Sequence, residues 1–429
     1  MEKMIIKGGQ RLSGEVSLDG SRKATLYMQA AAILASNDTV SLANVSEGTD
    51  IEAFNQVLHS LKIQVDFDHQ QHLMRLKPSE NLSSAALAEH TNKIRDVMLL
   101  LGPLLARLGF VKIAVPSDTP SLAPYLKAFG QLGAVIEQHH DYLETTAEQL
   151  VGNQITLDLP DAGVTAALMM AATMAQGITT IENAACEPEM VDLASMLNKM
   201  GARVHGAGTT TIRIQGVDFL HGCEYSVMVD RIEAGNFMIA AAVTNGDVLI
   251  KGAVADHNRA LISKLEELGV TVVVQHDGIR VLGTSVLLPA QIMAAPYPGF
   301  PAELKAPMVI LQLLANGVST FVGQTDKAWS KYLKQLGQLN ADIQVNGSTL
   351  SLNGPIMFHG MELPALNFQT GVGLVLAGLV AHGITQVINL QALDCAYRRL
   401  DQKLQHLGAQ VDRVEIDDEL KLPPDHVES

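Results

Sequence analysis

Leu197-Asn198-Lys199-Met200-Gly201-Ala202-Arg203-Val204 reads as the last turn of a helix, a glycine stop and the first residues of a strand. The same phrase recurs as Phe129 to Ile136, Leu265 to Val272, Leu336 to Val345 and Leu404 to Val411, and in degenerate form as Leu58 to Val65, with Lys62 in the glycine place. The glycine-equivalent positions are 62, 133, 201, 269, 340 and 408, so the spacing is 71, 68, 68, 71 and 68 residues. A second, more apolar helix keeps the same period and stops at Asn37, Gly109, Gly177, Gly246, Gly317 and Gly383, in segments such as Ala24 to Ala35, Ile94 to Leu108 and Gly371 to Ala381. A sixfold period of this length fixes the architecture before any local motif is weighed.

One copy shows the unit. Gly163 to Gln176 is rich in Met, Ala and Thr and apolar nearly all round, the pattern of a helix buried on most sides. Gly177 stops it, and Ile178 to Asn183 follows as a β-branched strand. Glu187-Pro188-Glu189 opens the next helix with a proline suited to the first turn and acids suited to its positive end. That helix places Met190, Leu193, Leu197 and Met200 on one face, and strands Arg203 to Gly206 and Thr210 to Gln215 follow. The unit is roughly βαβαββ. Units this large pack three at a time around shared helices, which predicts two globular domains.

A chain of 429 residues exceeds what one core holds, so two domains also follow from length. Apolar residues make up 47% and aromatic ones only 4%, a core of Ala, Val, Leu, Ile and Met. No run reaches the roughly 18 to 20 apolar residues that span a bilayer. The net charge of −15 argues against a general nucleic-acid binder but leaves room for a local cationic pocket. Cys186, Cys223 and Cys395, at unrelated spacings and without a secretory leader before Met4, read as free thiols in a reducing cytoplasm and make no metal site. Walker-type and dinucleotide glycine loops and a serine nucleophile elbow are all missing from the sequence, so no cofactor is expected and function is expected between the two domains.

Specific stretches then narrow the reading. Gly14-Glu15-Val16 to Ala24, Ile94-Arg95, Leu101 to Arg107, Glu182 to Asp192, Asp230-Arg231-Ile232-Glu233-Ala234-Gly235-Asn236-Phe237, Ala295 to Pro301 and Leu374 to Leu379 closely resemble the UDP-N-acetylglucosamine enolpyruvyl transferase family, over the chain from Lys3 to about Val414. The resemblance implies an inside-out α/β barrel fold: two domains of three repeats, here 21–229, and 1–20 joined with 230–429. It further implies transfer of enolpyruvate from phosphoenolpyruvate to a sugar 3-hydroxyl, in peptidoglycan precursor synthesis in the cytoplasm, on small anionic substrates or nucleotide sugars, without nucleic acid or membrane.

Such chemistry needs cations for a carboxylate and a phosphate, an acid for the methylene and a base at the hydroxyl. By resemblance, Arg22 supplies a catalytic cation, Glu303 the carboxylate near the hydroxyl, and Asp118 a proton donor in the loop Val115 to Pro124. Lys23, Arg95, Asp161, Gly163, Gln369 and Cys395 are the candidate substrate contacts. That loop lacks the Cys and Arg of the family pattern, the Cys being the target of the epoxide fosfomycin. Trp329, Gln369 and Cys395 stand in the places of arginines, and Asn367 in that of an acid. Each charge-assisted bond to an anion is worth about 1.5 to 3 kcal/mol, so the losses amount to several decades in rate. Two functions stay open at this point: a transferase with a rebuilt anion pocket of Arg22, Lys23, Arg95 and Glu303, or a repurposed, non-catalytic paralogue that binds a ligand or partner.

Overall fold

Left-handed backbone marks all six ends of the repeated phrase: φ is 65° at Lys62, 90° at Gly133, 102° at Gly201, 90° at Gly269, 74° at Asn340 and 92° at Gly408. The period is therefore conformational, and Lys62 and Asn340 adopt what glycine adopts elsewhere. The computed structural model describes residues 2–82, 96–115, 122–324 and 326–415.

The copy around Gly201 folds as its sequence directs. Its sheet runs in the order Arg203–His205, Thr211–Gln215, Ile178–Glu182, Gln154–Thr156, the last pair parallel and the others antiparallel. Ile212 and Ile214 point inward while their neighbours are exposed. Ala162–Ala172 is the helix buried on all sides, with every residue from Val164 onward out of solvent, and Pro188–Lys199 is the half-exposed one. The buried helix ends four residues before the sequence reading stops it. Thr173, Met174 and Ala175 instead donate to carbonyls three residues back, a tightened last turn.

The chain divides into two compact units. The first holds Leu18–Arg231 with Pro296–Gly299. Its other sheets run Glu224–Ser226, Val40–Ala43, Leu73–Lys77, Gln64–Asp68 and Phe110–Ala114, Tyr142–Thr146, Val135–Gln138. The latter has three strands among the described residues, and 83–95, which precede its buried helix, lie outside them. The buried helices are Arg22–Ala32, Leu101–Leu108 and Ala162–Ala172. The last two meet backbone to backbone: a Cβ on Gly102 would overlap the Ala167 carbonyl oxygen and lie 3.0 Å from its carbonyl carbon. Alanine and glycine in these helices are what permits the approach.

The second unit holds Met1–Ser17, Ile232–Ala295 and Phe300–Ser429. Two of its sheets borrow a strand from the chain start. Ser13–Ser17 runs parallel to Asp247–Lys251, and Glu2–Lys7 lies between Ile384–Ile388 and Gln410–Glu415. The third sheet runs Gln291–Met293, Gly317–Val322, Thr349–Gly354, Asp342–Asn346. Its buried helices include Lys305–Leu313 and Phe368–Val380. No described helix is long and apolar enough to cross a membrane.

Candidate functional site

In the first unit, Arg22 and Lys23 form the first turn of Arg22–Ala32, capped by the Ser21 hydroxyl, which accepts from the Ala24 amide at 3.3 Å. Two cations at the positive end of a helix need compensation. Arg22 receives it from Asp50, whose carboxylate lies 2.5 Å from Nη1, and from Asp96 at 3.6 Å, with the guanidinium largely buried. Its backbone amide donates to Asp230 at 3.3 Å. The sequence reading offers Arg22 as a cation for substrate, whereas the fold surrounds it with carboxylates.

A second charged group is missing from that reading. Glu189 and Arg231 are only 3% and 4% exposed, and Arg231 Nε donates to both carboxylate oxygens at 3.0 and 3.2 Å. Arg231 also lies over the Tyr297 ring, 5.6 Å from its centroid. Asp192 accepts from the Tyr225 hydroxyl at 2.8 Å and the Met228 amide at 3.0 Å, and burial raises its carboxyl above the ordinary range. Desolvation likewise raises Glu187, against the opposing pull of Lys23, and its Oε2 has no hydrogen-bond partner among the described residues. The residues that carry this group, Glu187-Pro188-Glu189 and Asp230-Arg231, are plain in the sequence, but acids at a helix start and an isolated Asp-Arg pair carry no local mark of a buried ion pair.

Asp161 caps Ala162–Ala172, accepting from the Val164 amide at 2.9 Å. Gly163 leaves room for Tyr125, whose hydroxyl occupies the space a Cβ would take. Burial, reinforced by Asp161, drives the Tyr125 phenol well above its usual value. Both positions are thus engaged in local structure. Arg95 and Asp118 lie outside the described residues.

In the second unit, Glu303 sits half-buried in the short 3-10 turn Ala302–Leu304 that leads into Lys305–Leu313. Gln369 lies in the first turn of Phe368–Val380, behind a capping box in which the Asn367 side chain accepts from Thr370 N at 2.9 Å and Thr370 Oγ1 accepts from Asn367 N at 3.2 Å. An asparagine performs this cap as well as the acid the resemblance leads one to expect. Cys395 is half-buried and donates to the Ala392 carbonyl at 3.3 Å. The largest departure from the sequence reading is Lys305. It is 8% exposed, its Nζ donates to the Gln324 carbonyl at 2.5 Å, and it lies 3.7 Å from the centroid of the Trp329 ring. Burial pulls its pKa down to about 8, opposed by Asp326. A lysine at a helix start carries no mark in the sequence of its burial here. Among the described residues no group of three or more His, Cys, Asp or Glu is placed to hold a metal ion.

Residues 6–404 match the EPSP synthase (3-phosphoshikimate 1-carboxyvinyltransferase) family. The chain is 42% identical over 419 residues to UDP-N-acetylglucosamine 1-carboxyvinyltransferase 1 of Halalkalibacterium halodurans, an alignment that covers 96% of this chain and 95% of that protein. Its fold is similar to that of the enolpyruvyl transferase NikO from Streptomyces tendae, with a TM-score of 0.87 at 22% identity over 96% of this chain and 99% of the other. It is also similar to EPSP synthase from Acinetobacter baumannii, with a TM-score of 0.73 at 18% identity over 96% and 100%. These two likenesses establish the inside-out α/β fold. Taken with the match across nearly the whole length, they place this chain in the EPSP synthase (3-phosphoshikimate 1-carboxyvinyltransferase) family.

Proposed function

We propose that this protein is an enolpyruvyl transferase that moves the 1-carboxyvinyl group of phosphoenolpyruvate to the 3-hydroxyl of UDP-N-acetylglucosamine and releases inorganic phosphate, in the cytoplasm and in the service of peptidoglycan precursor synthesis. The observation that carries the reading is the 42% identity to a carboxyvinyltransferase across 96% of the chain. In the first step the acceptor oxygen bonds to C2 of phosphoenolpyruvate, the hydroxyl proton passes to a base, and C3 takes a proton to become a methyl group. In the second, C3 loses a proton and the C2–O bond to phosphate breaks, which restores the double bond. Glu303 is assigned the base, Asp118 the proton donor, and Arg22, Lys23 and Arg95 the substrate anions, with Asp161, Gly163, Gln369 and Cys395 as further contacts. No cofactor enters this scheme.

One observation favours a second reading, a repurposed binding protein. Arg22 is already paired with Asp50 and Asp96, and Trp329, Gln369 and Cys395 bring no charge where the resemblance implies arginines. The deciding experiment is phosphate release from phosphoenolpyruvate against a panel of UDP- and other nucleotide sugars. Release with UDP-N-acetylglucosamine that disappears in Glu303→Gln supports the transferase. Ligand binding without release across the whole panel rejects it in favour of the binding protein.

A further inference from the structure

Each of the six repeated units follows its left-handed stop with a strand at one end of its sheet: Gln64–Asp68, Val135–Gln138, Arg203–His205, Thr271–Gln275, Asp342–Asn346 and Gln410–Glu415. An end strand leaves one row of backbone N–H and C=O groups open to another chain, an approach that proteins commonly discourage with charge. Five of these six strands do so, with Asp66 and Asp68, with Glu137, with Arg203, with Asp342, and with Asp412, Arg413 and Glu415. The exception is Thr271-Val272-Val273-Val274-Gln275, which holds no ionisable residue and three valines in a row.

This strand is bonded on one side only. Its sheet runs Thr271–Gln275, Gly278–Leu282, Asp247–Lys251, Ser13–Ser17, and among the described residues no backbone group outside Gly278–Leu282 bonds to it. Val273 and Val274 are 41% and 61% exposed, one on each face of the sheet. Val286 and Leu288 are exposed as well, in the loop that bonds back to the Leu268 carbonyl beside the start of the strand. We propose that Thr271–Gln275 is a self-association edge, at which a second copy of this chain adds the same strand antiparallel about a twofold axis through Val273. That register sets Val273 against Val273, Val272 against Val274 and Thr271 against Gln275, so no charge faces a like charge. A net charge of −15 opposes contact between copies elsewhere, and an acidic or basic partner finds no complement in this strand. Pairing consumes the edge on both copies. Ser13–Ser17, at the far end of the sheet, carries Glu15 in an ion pair with Lys251, so the assembly closes at two copies. No residue assigned to substrate lies in this strand or its neighbouring loop, so the edge is independent of the transferase reading.

The test is sedimentation velocity on the full chain from about 1 to 200 μM, a range that brackets the micromolar dissociation constant of a small interface. A dimer that grows with concentration is expected. Val273→Lys sets two ammonium groups opposite one another on the axis and should weaken that dimer about tenfold. Val345→Lys, at an exposed position of the charged strand Asp342–Asn346, should leave it unchanged. Val273→Cys reads the register, because directly opposed Cα atoms of an antiparallel pair lie about 4.5 to 5.5 Å apart, within the span of a disulfide. Mild oxidation should then give a covalent dimer that neither the wild type nor Val345→Cys gives, all three proteins keeping Cys186, Cys223 and Cys395. If Val273→Lys does not fold by circular dichroism, Val274→Lys takes its place and should weaken the dimer in the same direction. A chain that stays monomeric over the whole range overturns the proposal and leaves the edge to a partner of another sequence. A dimer that the lysine variant leaves intact, or one without the Val273→Cys cross-link, overturns it too, because the contact then lies elsewhere.

Discussion

Replacing Gly102 by alanine sets two effects of opposite sign against each other. Within a helix such as Leu101–Leu108, the change by itself stabilises by roughly 0.5 to 1 kcal/mol, because glycine has the most backbone entropy to lose. Against it stands the neighbouring helix. The new methyl would overlap the Ala167 carbonyl oxygen, 3.0 Å from the carbonyl carbon and 3.3 Å from the Ala171 amide nitrogen. All of these are backbone atoms, which cannot swing away as the end of a side chain can. Restoring ordinary contact means parting the two helices by about 1 Å, and Val164 to Ala172 are buried along that whole seam, so close packing is lost over its length. Overpacking of this kind costs about 1 to 3 kcal/mol, at the upper end where nothing can yield. The net expectation for Gly102→Ala is destabilisation by roughly 1 to 2 kcal/mol, read as a lower urea midpoint by far-ultraviolet circular dichroism. Gly130→Ala is the control, in the half-exposed helix Ala123–Gln131 of the same unit, where no atom lies within 4 Å of the added carbon. It should gain roughly 0.5 to 1 kcal/mol. A Gly102→Ala midpoint raised as much as that of Gly130→Ala would refute the backbone-to-backbone packing on which the buried layer rests.

Two other expectations follow from the same structure. Lys62 holds φ at 65°, a region that costs an L residue about 1 to 2 kcal/mol, so Lys62→Gly should raise the thermal midpoint despite its looser unfolded chain, and a fall would mean that the lysine side chain matters more than its backbone. Burial pushes the thiols of Cys186 and Cys223 above the ordinary 9.0, so thiolate is scarce at neutral pH; fosfomycin should leave no stoichiometric adduct by intact-mass spectrometry, alkylation by iodoacetamide should accelerate only as pH rises past that value, and a stable epoxide adduct on any of the three cysteines at neutral pH would contradict this.

The scaffold was legible because its rule is local and repeated. A helix, a left-handed stop and a strand recur every 68 to 71 residues, and each copy is set by its own spacing of apolar residues. Even Lys62 and Asn340 gave themselves away by position, since the period left the chain no other place to turn. Burial of the helix Ala162–Ala172 was equally plain in a segment with no polar face. The site resisted such reading for the opposite reason. Whether Arg22 is available to a ligand depends on Asp50 and Asp96, which lie 28 and 74 positions further along the chain and carry no local mark of the pairing. Glu189 and Arg231 are separated by 42 positions and meet only in the folded chain. Asp161 and Asn367 read as candidates for binding or for lost charge, yet both serve as helix caps, a task for which a short polar side chain at that place is sufficient cause.

Charge counting along the sequence therefore measures the wrong quantity. It registers Trp329 as a cation lost, because a tryptophan stands where the resemblance implies an arginine. In three dimensions the same ring is the floor on which Lys305 places its ammonium, 3.7 Å from the centroid, and the lysine reaches it from another helix 24 positions away. An aromatic face holds a cation with a strength that grows as water is excluded, so tryptophan and lysine together do what neither residue announces alone. The exchange is not equivalent, because a guanidinium keeps its proton throughout the physiological range, whereas a buried ammonium near pKa 8 gives its proton up within reach of it. A protein built this way retains a cation in its second unit but makes that cation sensitive to alkaline pH, and the sensitivity distinguishes a relocated charge from a missing one.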